Sequence, residues 1–122
     1  MSKEEFDSYL KTIGGVYNWK GIDHTDSNIF GVKSGWFELL KDLIDELLLN
    51  GWDRHLYQSK EKFGGLNFYI KNNSDVLQDI ILKYEKKSFK ICERCGEPGE
   101  RRSGGWIRTL CDEHAIEQNY DI

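Results

Sequence analysis

Apolar side chains recur along this chain with different periods, and each period predicts a different element. Ser2 with Glu5 reads as a capping box, and Phe6, Tyr9, Leu10 and Ile13 then return at intervals of three and four. This predicts a short amphipathic helix over residues 3–13, ended by Gly14-Gly15. Residues 16–33 hold Tyr17, Trp19 and Phe30 among polar residues with no sustained period, and read as an irregular arm. From Ser34 the helical pattern is strongest. Trp36, Phe37, Leu40, Leu43, Ile44, Leu47 and Leu48 hold one face and Glu38, Lys41, Asp42, Asp45 and Glu46 the other, until Asn50-Gly51 stops the helix. The period then switches to two. Leu56 to Lys62 and Leu66 to Lys71 flank Phe63-Gly64-Gly65, and Leu66, Phe68 and Ile70 alternate with Asn67, Tyr69 and Lys71. A β-hairpin is predicted, its paired glycines supplying positive backbone angles. Asn73 or Ser74 can cap a third helix that turns Val76, Leu77, Ile80, Ile81 and Tyr84 inward and runs to about Ser88, and Phe89-Lys90-Ile91 reads as a short strand.

The predicted architecture is α+β: helices with a β-hairpin, followed by a C-terminal unit that carries every cysteine. A length of 122 residues with 39% hydrophobic and 13% aromatic content suits one domain, 1–122. Within it we distinguish an N-terminal helix and arm (1–33), a helix–hairpin–helix core (34–91) and the cysteine-bearing unit (92–122). The longest apolar run is Leu47-Leu48-Leu49, too short for a membrane span, and Met1-Ser2-Lys3-Glu4-Glu5 lacks the pattern of a signal peptide. The expectation is a soluble cytoplasmic protein with no membrane partner. A net charge of −4 also argues against a dedicated phosphate binder, whose affinity comes from clustered cations.

Three cysteines are an odd number, and in a reducing compartment they point to metal rather than to disulfides. Cys92 and Cys95 are spaced C-x2-C and Cys111 and His114 C-x2-H, a set of four ligands that suits one structural zinc ion. Gly96 lets the chain fold back after Cys95, so that amide donors are aimed at the thiolates. Asp112, Glu113, Ala115, Ile116 and Glu117 favour a helix starting near Cys111, which places Cys111 and His114 on its first turn. Residues 100–110, with Gly104-Gly105 near the turn, read as a second hairpin, giving knuckle, hairpin and helix in treble-clef order, with Trp106 as a lid over the zinc. Four protein ligands leave no position for a catalytic water.

Other chemistry is poorly supplied. After His114 only His24 and His55 remain, which is too little for a nuclease metal site of the HNH type, and GxSxG, HExxH, GxGxxG and Walker-type loops are absent. We expect no enzyme activity. Charge is segregated: the strong helix is acidic through Glu38, Asp42, Asp45 and Glu46, and the hairpin region is basic. These faces are either simply solvated or dock a partner. Lys60, Lys62, Lys71, Arg101, Arg102 and Arg108, interleaved with Phe68, Tyr69 and Trp106, offer an alternative nucleic-acid surface.

Trp36-Phe37 with Leu39-Leu40, the stretch Lys60-Glu61-Lys62-Phe63-Gly64-Gly65-Leu66-Asn67-Phe68-Tyr69, Cys92 to Gly99, and Gly104 to Ala115 together resemble a family of small zinc proteins of phages and bacterial mobile elements. The size, acidity and closed zinc site are similar to a zinc-containing member of the anti-CRISPR proteins. The resemblance implies a non-enzymatic inhibitor that binds a host type II CRISPR nuclease and blocks its engagement of target DNA. The alternatives are a nucleic-acid-binding phage regulator and a structural adaptor. It carries over no site residues beyond Cys92, Cys95, Cys111 and His114; Glu38, Asp42, Asp45 and Glu46 are the face that physics offers to a basic nuclease channel.

Overall fold

A computed structural model describes residues 1–18 and 21–120, and its fold is mixed α+β. The capping box forms as expected: Ser2 Oγ accepts the Glu5 amide at 3.1 Å and Glu5 Oε1 accepts the Ser2 amide at 2.9 Å, which starts α1 at Lys3–Thr12. Phe6 and Leu10 are buried on one side of it, with the Phe6 ring 4.9 Å from that of Phe37. The arm has more structure than its sequence predicts. β1 (Val16–Tyr17) pairs antiparallel with β2 (Asp23–His24), and a 3-10 turn at Ser27–Phe30 is capped by Asp26. Elements this short have no room to display a period, yet they bury Val16 and Phe30 in the core. Trp19 lies outside the described residues.

Helix α2 (Phe37–Leu49) is entered through a 3-10 turn at Ser34–Trp36 rather than starting at Ser34. Phe37, Leu40, Leu43, Ile44 and Leu47 are buried along it. β3 (Leu56–Lys62) and β4 (Gly65–Ile70) form the hairpin, with Leu66, Phe68 and Ile70 turned inward. Its turn differs from the expected one. The two positive-φ residues are Phe63 (54°) and Gly64 (82°), while Gly65 is already in the strand. Gly65 is there for space, because a Cβ on it would meet the Phe89 ring at 2.5 Å.

Ser74 caps α3 (Asp75–Ser88) by accepting the Leu77 amide. Leu77, Ile80, Ile81 and Tyr84 form its buried stripe, but Val76, expected inward, is 57% exposed because it lies about 90° from the centre of that stripe, beyond its edge in the first turn. Phe89-Lys90-Ile91 is not a strand. Phe89 keeps a helical conformation as the cap of α3, and Ile91 makes only an isolated bridge to Pro98. The end of α3 instead lies along the open edge of β4. Ser88 Oγ accepts the Leu66 amide at 2.9 Å and Glu85 Oε2 the Phe68 amide at 2.8 Å, so side chains satisfy donors a third strand would otherwise take. The main core fills the space between α1, α2, α3 and the inner face of the hairpin. No helix among the described residues is long and apolar enough to cross a membrane.

Candidate metal centre

The chain leaves α3 and turns through Cys92 to Gly99, where it is held by short local bonds. The Cys92 amide donates to Glu97 O at 2.8 Å and the Gly96 amide to Cys92 O at 2.9 Å. Gly96 sits at φ 82°, a left-handed angle that closes this turn at little cost only for glycine. β5 (Glu100–Arg102) and β6 (Arg108–Leu110) follow as an antiparallel hairpin, and α4 (Asp112–Glu117) begins with Cys111 as its N-cap. Cys111 and His114 are therefore brought together by the first turn of a helix, as their spacing predicts.

These elements converge on one point. The ligand atoms of Cys92, Cys95, Cys111 and His114 all lie within 4.8 Å of one another. His114 Nδ1 is 3.5 Å from Cys92 Sγ and 3.3 Å from Cys111 Sγ, and Cys95 Sγ is 3.8 Å from Cys111 Sγ. A tetrahedral ion with metal–sulfur bonds of about 2.3 Å and metal–nitrogen bonds of about 2.05 Å has donor–donor edges of roughly 3.5–3.8 Å, so these three edges are close to those of such an ion, within a cluster whose widest spacing is at most 4.8 Å. Cys92 is fully buried, Cys95 is exposed, and Cys111 and His114 lie between.

Burial pushes the Cys92 thiol up, but the backbone amides of Cys111, Cys95 and Arg94 and the ring of His114 point at its sulfur and bring it to about 7 overall. Cys95 is pushed up to about 11, first by burial and then by its contacts with the sulfurs of Cys92 and Cys111. Three thiols in contact resist ionising together, and a divalent cation removes that conflict.

The centre is fastened to the rest of the fold at its knuckle. The Gly35 amide donates to Glu93 O at 3.0 Å and the Trp36 indole N–H to Ile91 O at 2.9 Å. Gly35 touches the knuckle so closely that a Cβ would stand 2.3 Å from Cys92 O and 2.4 Å from the carbonyl carbon of Glu93. On the other side the Glu93 amide donates to Thr109 O at 3.0 Å, and the buried Thr109 hydroxyl donates to Gly64 O at 2.5 Å. Glu93 lies between the two cysteines with only 2% of its surface exposed. Burial raises its carboxyl, while Arg108, donating to Oε1 at 2.5 Å, pulls the other way. Gly35, Glu93 and Arg108 are the contributors that spacing did not single out. A glycine directly before the best helix, where a better helix former would serve, was the one available signal for Gly35.

The other candidate residues divide. Glu38 and Asp42 are exposed on α2 and line a cleft of about 390 Å³ that reaches Cys95. Asp45 and Glu46 are engaged within the chain: Asp45 accepts from Lys41 at 2.8 Å and Tyr9 at 2.6 Å, and Glu46 from Lys83 at 2.7 Å and Tyr84 at 2.9 Å. Trp106 is no lid over the cysteines, because it stands 68% exposed at the tip of the second hairpin. Of the residues considered for nucleic acid, Phe68 is buried in the core, Arg102 is buried against Leu110 O and Asp112, and Arg108 is held by Glu93. Lys60, Lys62, Lys71, Arg101, Tyr69 and Trp106 remain at the surface. No family model, curated protein or solved structure matches this chain.

Proposed function

We propose that a single zinc ion occupies the Cys92, Cys95, Cys111 and His114 quartet as a structural staple, and that the chain acts without chemistry. In this reading it is an inhibitor that docks on a host protein with a basic nucleic-acid channel, of the kind an RNA-guided type II CRISPR nuclease presents, and hinders engagement of target DNA. Three thiolates and an imidazole at tetrahedral spacing are a donor set that favours zinc over harder cations. With four protein ligands no position is left for a reactive water, and knuckle, hairpin and helix read as a treble-clef-like unit. The nuclease as target class comes from the resemblance of the chain's size, acidity and closed Cys/His site to a zinc-containing anti-CRISPR protein, while the K-E-K-F-G-G-L hairpin with the C-x2-C/C-x2-H unit resembles small zinc proteins of phages and mobile elements.

The observation that carries the docking surface is the contrast along α2. Glu38 and Asp42 have no ion-pair partner among the described residues, whereas Asp45 and Glu46 are spent on Lys41, Tyr9, Lys83 and Tyr84. Free, exposed carboxylates steer association with a basic surface and make it salt-dependent. The docking edge is therefore Glu38 and Asp42, narrower than the four-residue face read from sequence.

The test is size-exclusion chromatography of the zinc-loaded chain with a guide-loaded type II CRISPR nuclease. Co-elution that is lost in the Glu38→Lys/Asp42→Lys variant is expected, and separate elution of the intact zinc-loaded protein overturns the inhibitor reading. The metal is tested separately. One zinc per chain is expected, and Cys95→Ser should lose it together with the cooperative unfolding of residues 92–120, since structural zinc sites supply about 10–16 kcal/mol in small modules. Unchanged melting of Cys95→Ser would remove the staple.

A further inference from the structure

The hairpin that packs its inner face into the core presents a second, unassigned surface on its outer face. The register opposes Gln58 to Tyr69 and Lys60 to Asn67, so these residues share the side facing away from the buried Ser59–Phe68 pair, and Lys62 follows at the end of β3 opposite Gly65, where the Phe89 ring covers the glycine. That outer face carries two lysines, an amide-rich pair and an exposed tyrosine, and no carboxylate. Glu61 belongs to the inner side, opposite Leu66, where it accepts the Gly64 amide at 2.8 Å. In a chain of net charge −4, an acid-free cationic strand face is a local reversal of sign.

At its tip the face runs into a largely apolar cleft of about 260 Å³ between the two hairpin turns, lined by Lys62, Phe63, Trp106 and Ile107 and by one carboxylate, Glu61, which accepts the Gly64 amide at 2.8 Å and lies 3.9 Å from Arg108. Phe63 is 63% exposed and Trp106 68%. Phe63 holds a φ of 54°, a conformation bulky residues rarely adopt, and it is kept there while its ring is left in solvent. The carbonyl of Phe63 accepts from Arg101 Nη2 at 2.9 Å, and the bond from Thr109 to Gly64 ties the two hairpins together beneath the cleft. The aromatic tips therefore stand on a fixed base. Lys62 Nζ lies 5.6 Å from the Phe63 ring centre, so cation and stacking surface are side by side.

We propose that this surface binds single-stranded nucleic acid, with Tyr69, Phe63 and Trp106 stacking bases and Lys60, Lys62 and Arg101 taking phosphates. The combination of exposed rings and a cationic strand track is what single strands use, because every base has a face to stack and every linkage a charge to neutralise. A duplex hides its bases and demands a broader cationic field than this chain offers. The proposal shares no residue with the docking edge on α2 and stands or falls apart from it.

The test is fluorescence anisotropy of a labelled 12-nucleotide mixed sequence as single-stranded RNA, as single-stranded DNA and as duplex, titrated with the full zinc-loaded chain from 50 to 300 mM KCl. Binding to one or both single strands, tighter than to the duplex and weakening with salt, is expected; RNA and DNA arms tell which strand is preferred. Trp106→Ala and Phe63→Gly should each weaken binding roughly 5- to 150-fold, the range for loss of one stacked base, with melting unchanged in Trp106→Ala and unchanged or raised in Phe63→Gly, where glycine suits the left-handed angle. Lys60→Glu/Lys62→Glu should flatten the salt slope, and Glu38→Lys/Asp42→Lys should leave the mutual ranking of the three probes intact. Absence of binding at 50 mM KCl with about 100 μM protein, equal affinity for duplex, or undiminished affinity of Trp106→Ala in a folded protein would each overturn the proposal. Salt-sensitive self-association without oligonucleotide binding would overturn it too, giving the face to a second copy of the chain.

Discussion

Replacing Gly35 with alanine tests whether the knuckle of the metal centre is built onto the head of α2 or merely lies near it. Alanine ordinarily stabilises by about 0.4–1 kcal/mol where glycine's backbone angles suit it, and Gly35 is not in the left-handed region. Sterics oppose this. The added methyl would meet Cys92 O at 2.3 Å, the Glu93 carbonyl carbon at 2.4 Å and Glu93 O at 2.5 Å, all of them backbone atoms that no rotamer change can move aside. Relief needs a separation larger by roughly 1 Å, since carbon contacts are comfortable only near 3.5 Å. That shift strains or breaks the bond from the Gly35 amide to Glu93 O and the bond from Trp36 to Ile91 O. Overpacking costs about 1–3 kcal/mol and each of the two lost hydrogen bonds about 0.5–1.5 kcal/mol, so after the alanine gain the net loss is about 1–5.5 kcal/mol. In urea unfolding followed by tryptophan fluorescence this is a large fraction of the ~5–15 kcal/mol of a typical domain. The four ligands are untouched, so zinc content measured on the purified variant should stay at one per chain. A loss below about 1 kcal/mol would show that the knuckle is free to move away from α2, and would refute the reasoning.

Two further changes address the joints around the centre. Thr109→Val keeps the shape but removes the hydroxyl that donates to Gly64 O, leaving a buried carbonyl unpaired; a loss of about 1–3 kcal/mol is expected, read by chemical denaturation, and an unchanged midpoint would mean that carbonyl finds another donor. Glu85→Gln should stabilise the protein at pH 7.5 relative to wild type and lose that advantage towards pH 4. Burial raises the Glu85 carboxyl, against the opposing effect of the Phe68 amide. The folded wild type therefore holds its proton more tightly than the unfolded chain and loses stability as pH rises from the ordinary carboxylate range through the raised value. Glutamine keeps an acceptor for Phe68 without the charge. The readout is the difference between variant and wild type at each pH, in which proton competition for the metal cancels, and a pH-independent difference would sink the argument.

What the sequence made legible, and what it hid, follows from the range over which each feature is decided. The capping box, the stripe of α2 and the alternation of β4 are set by neighbours three, four or two residues apart, and all three formed where the pattern placed them. The cysteine and histidine quartet was legible for the same reason, as two short spacings that each close within one turn. Features decided by distant partners were not. Gly65 looked like half of a turn, but its small size answers to the Phe89 ring, and the left-handed angle fell on Phe63 instead. Trp106 looked like a lid and is a tip. Charge was the least legible of all: Asp45 and Glu46 are chemically the same as Glu38 and Asp42, and apart from the Lys41–Asp45 pair within α2 it is Tyr9 of α1 and Lys83 and Tyr84 of α3 that decide which carboxylates are spent and which are free.

The same contrast of range bears on the proposed metal. Twenty buried side chains from the helices, the hairpin and the arm of the N-terminal two-thirds share the main core, whereas the second core cluster, among the described residues from 92 onward, holds only Cys92, Leu110 and Ala115 as buried apolar residues. Three small contacts cannot offset the backbone entropy of ordering a knuckle, a hairpin and a helix, at about 1–2 kcal/mol per residue. Besides the bonds from Thr109 to Gly64 O and from Arg101 to Phe63 O, two devices can hold the unit: the metal proposed for the quartet, and the close backbone seat against Gly35 and Trp36. They act on different equilibria. In the proposed reading the metal decides whether residues 92–120 are folded, while the seat decides where the folded unit stands relative to α2, and hence whether Glu38 and Asp42 and the two hairpin tips hold fixed positions. A Gly35→Ala protein that keeps its zinc yet loses stability would separate the two, and would make the seat, rather than the ion, the element on which any docking geometry depends.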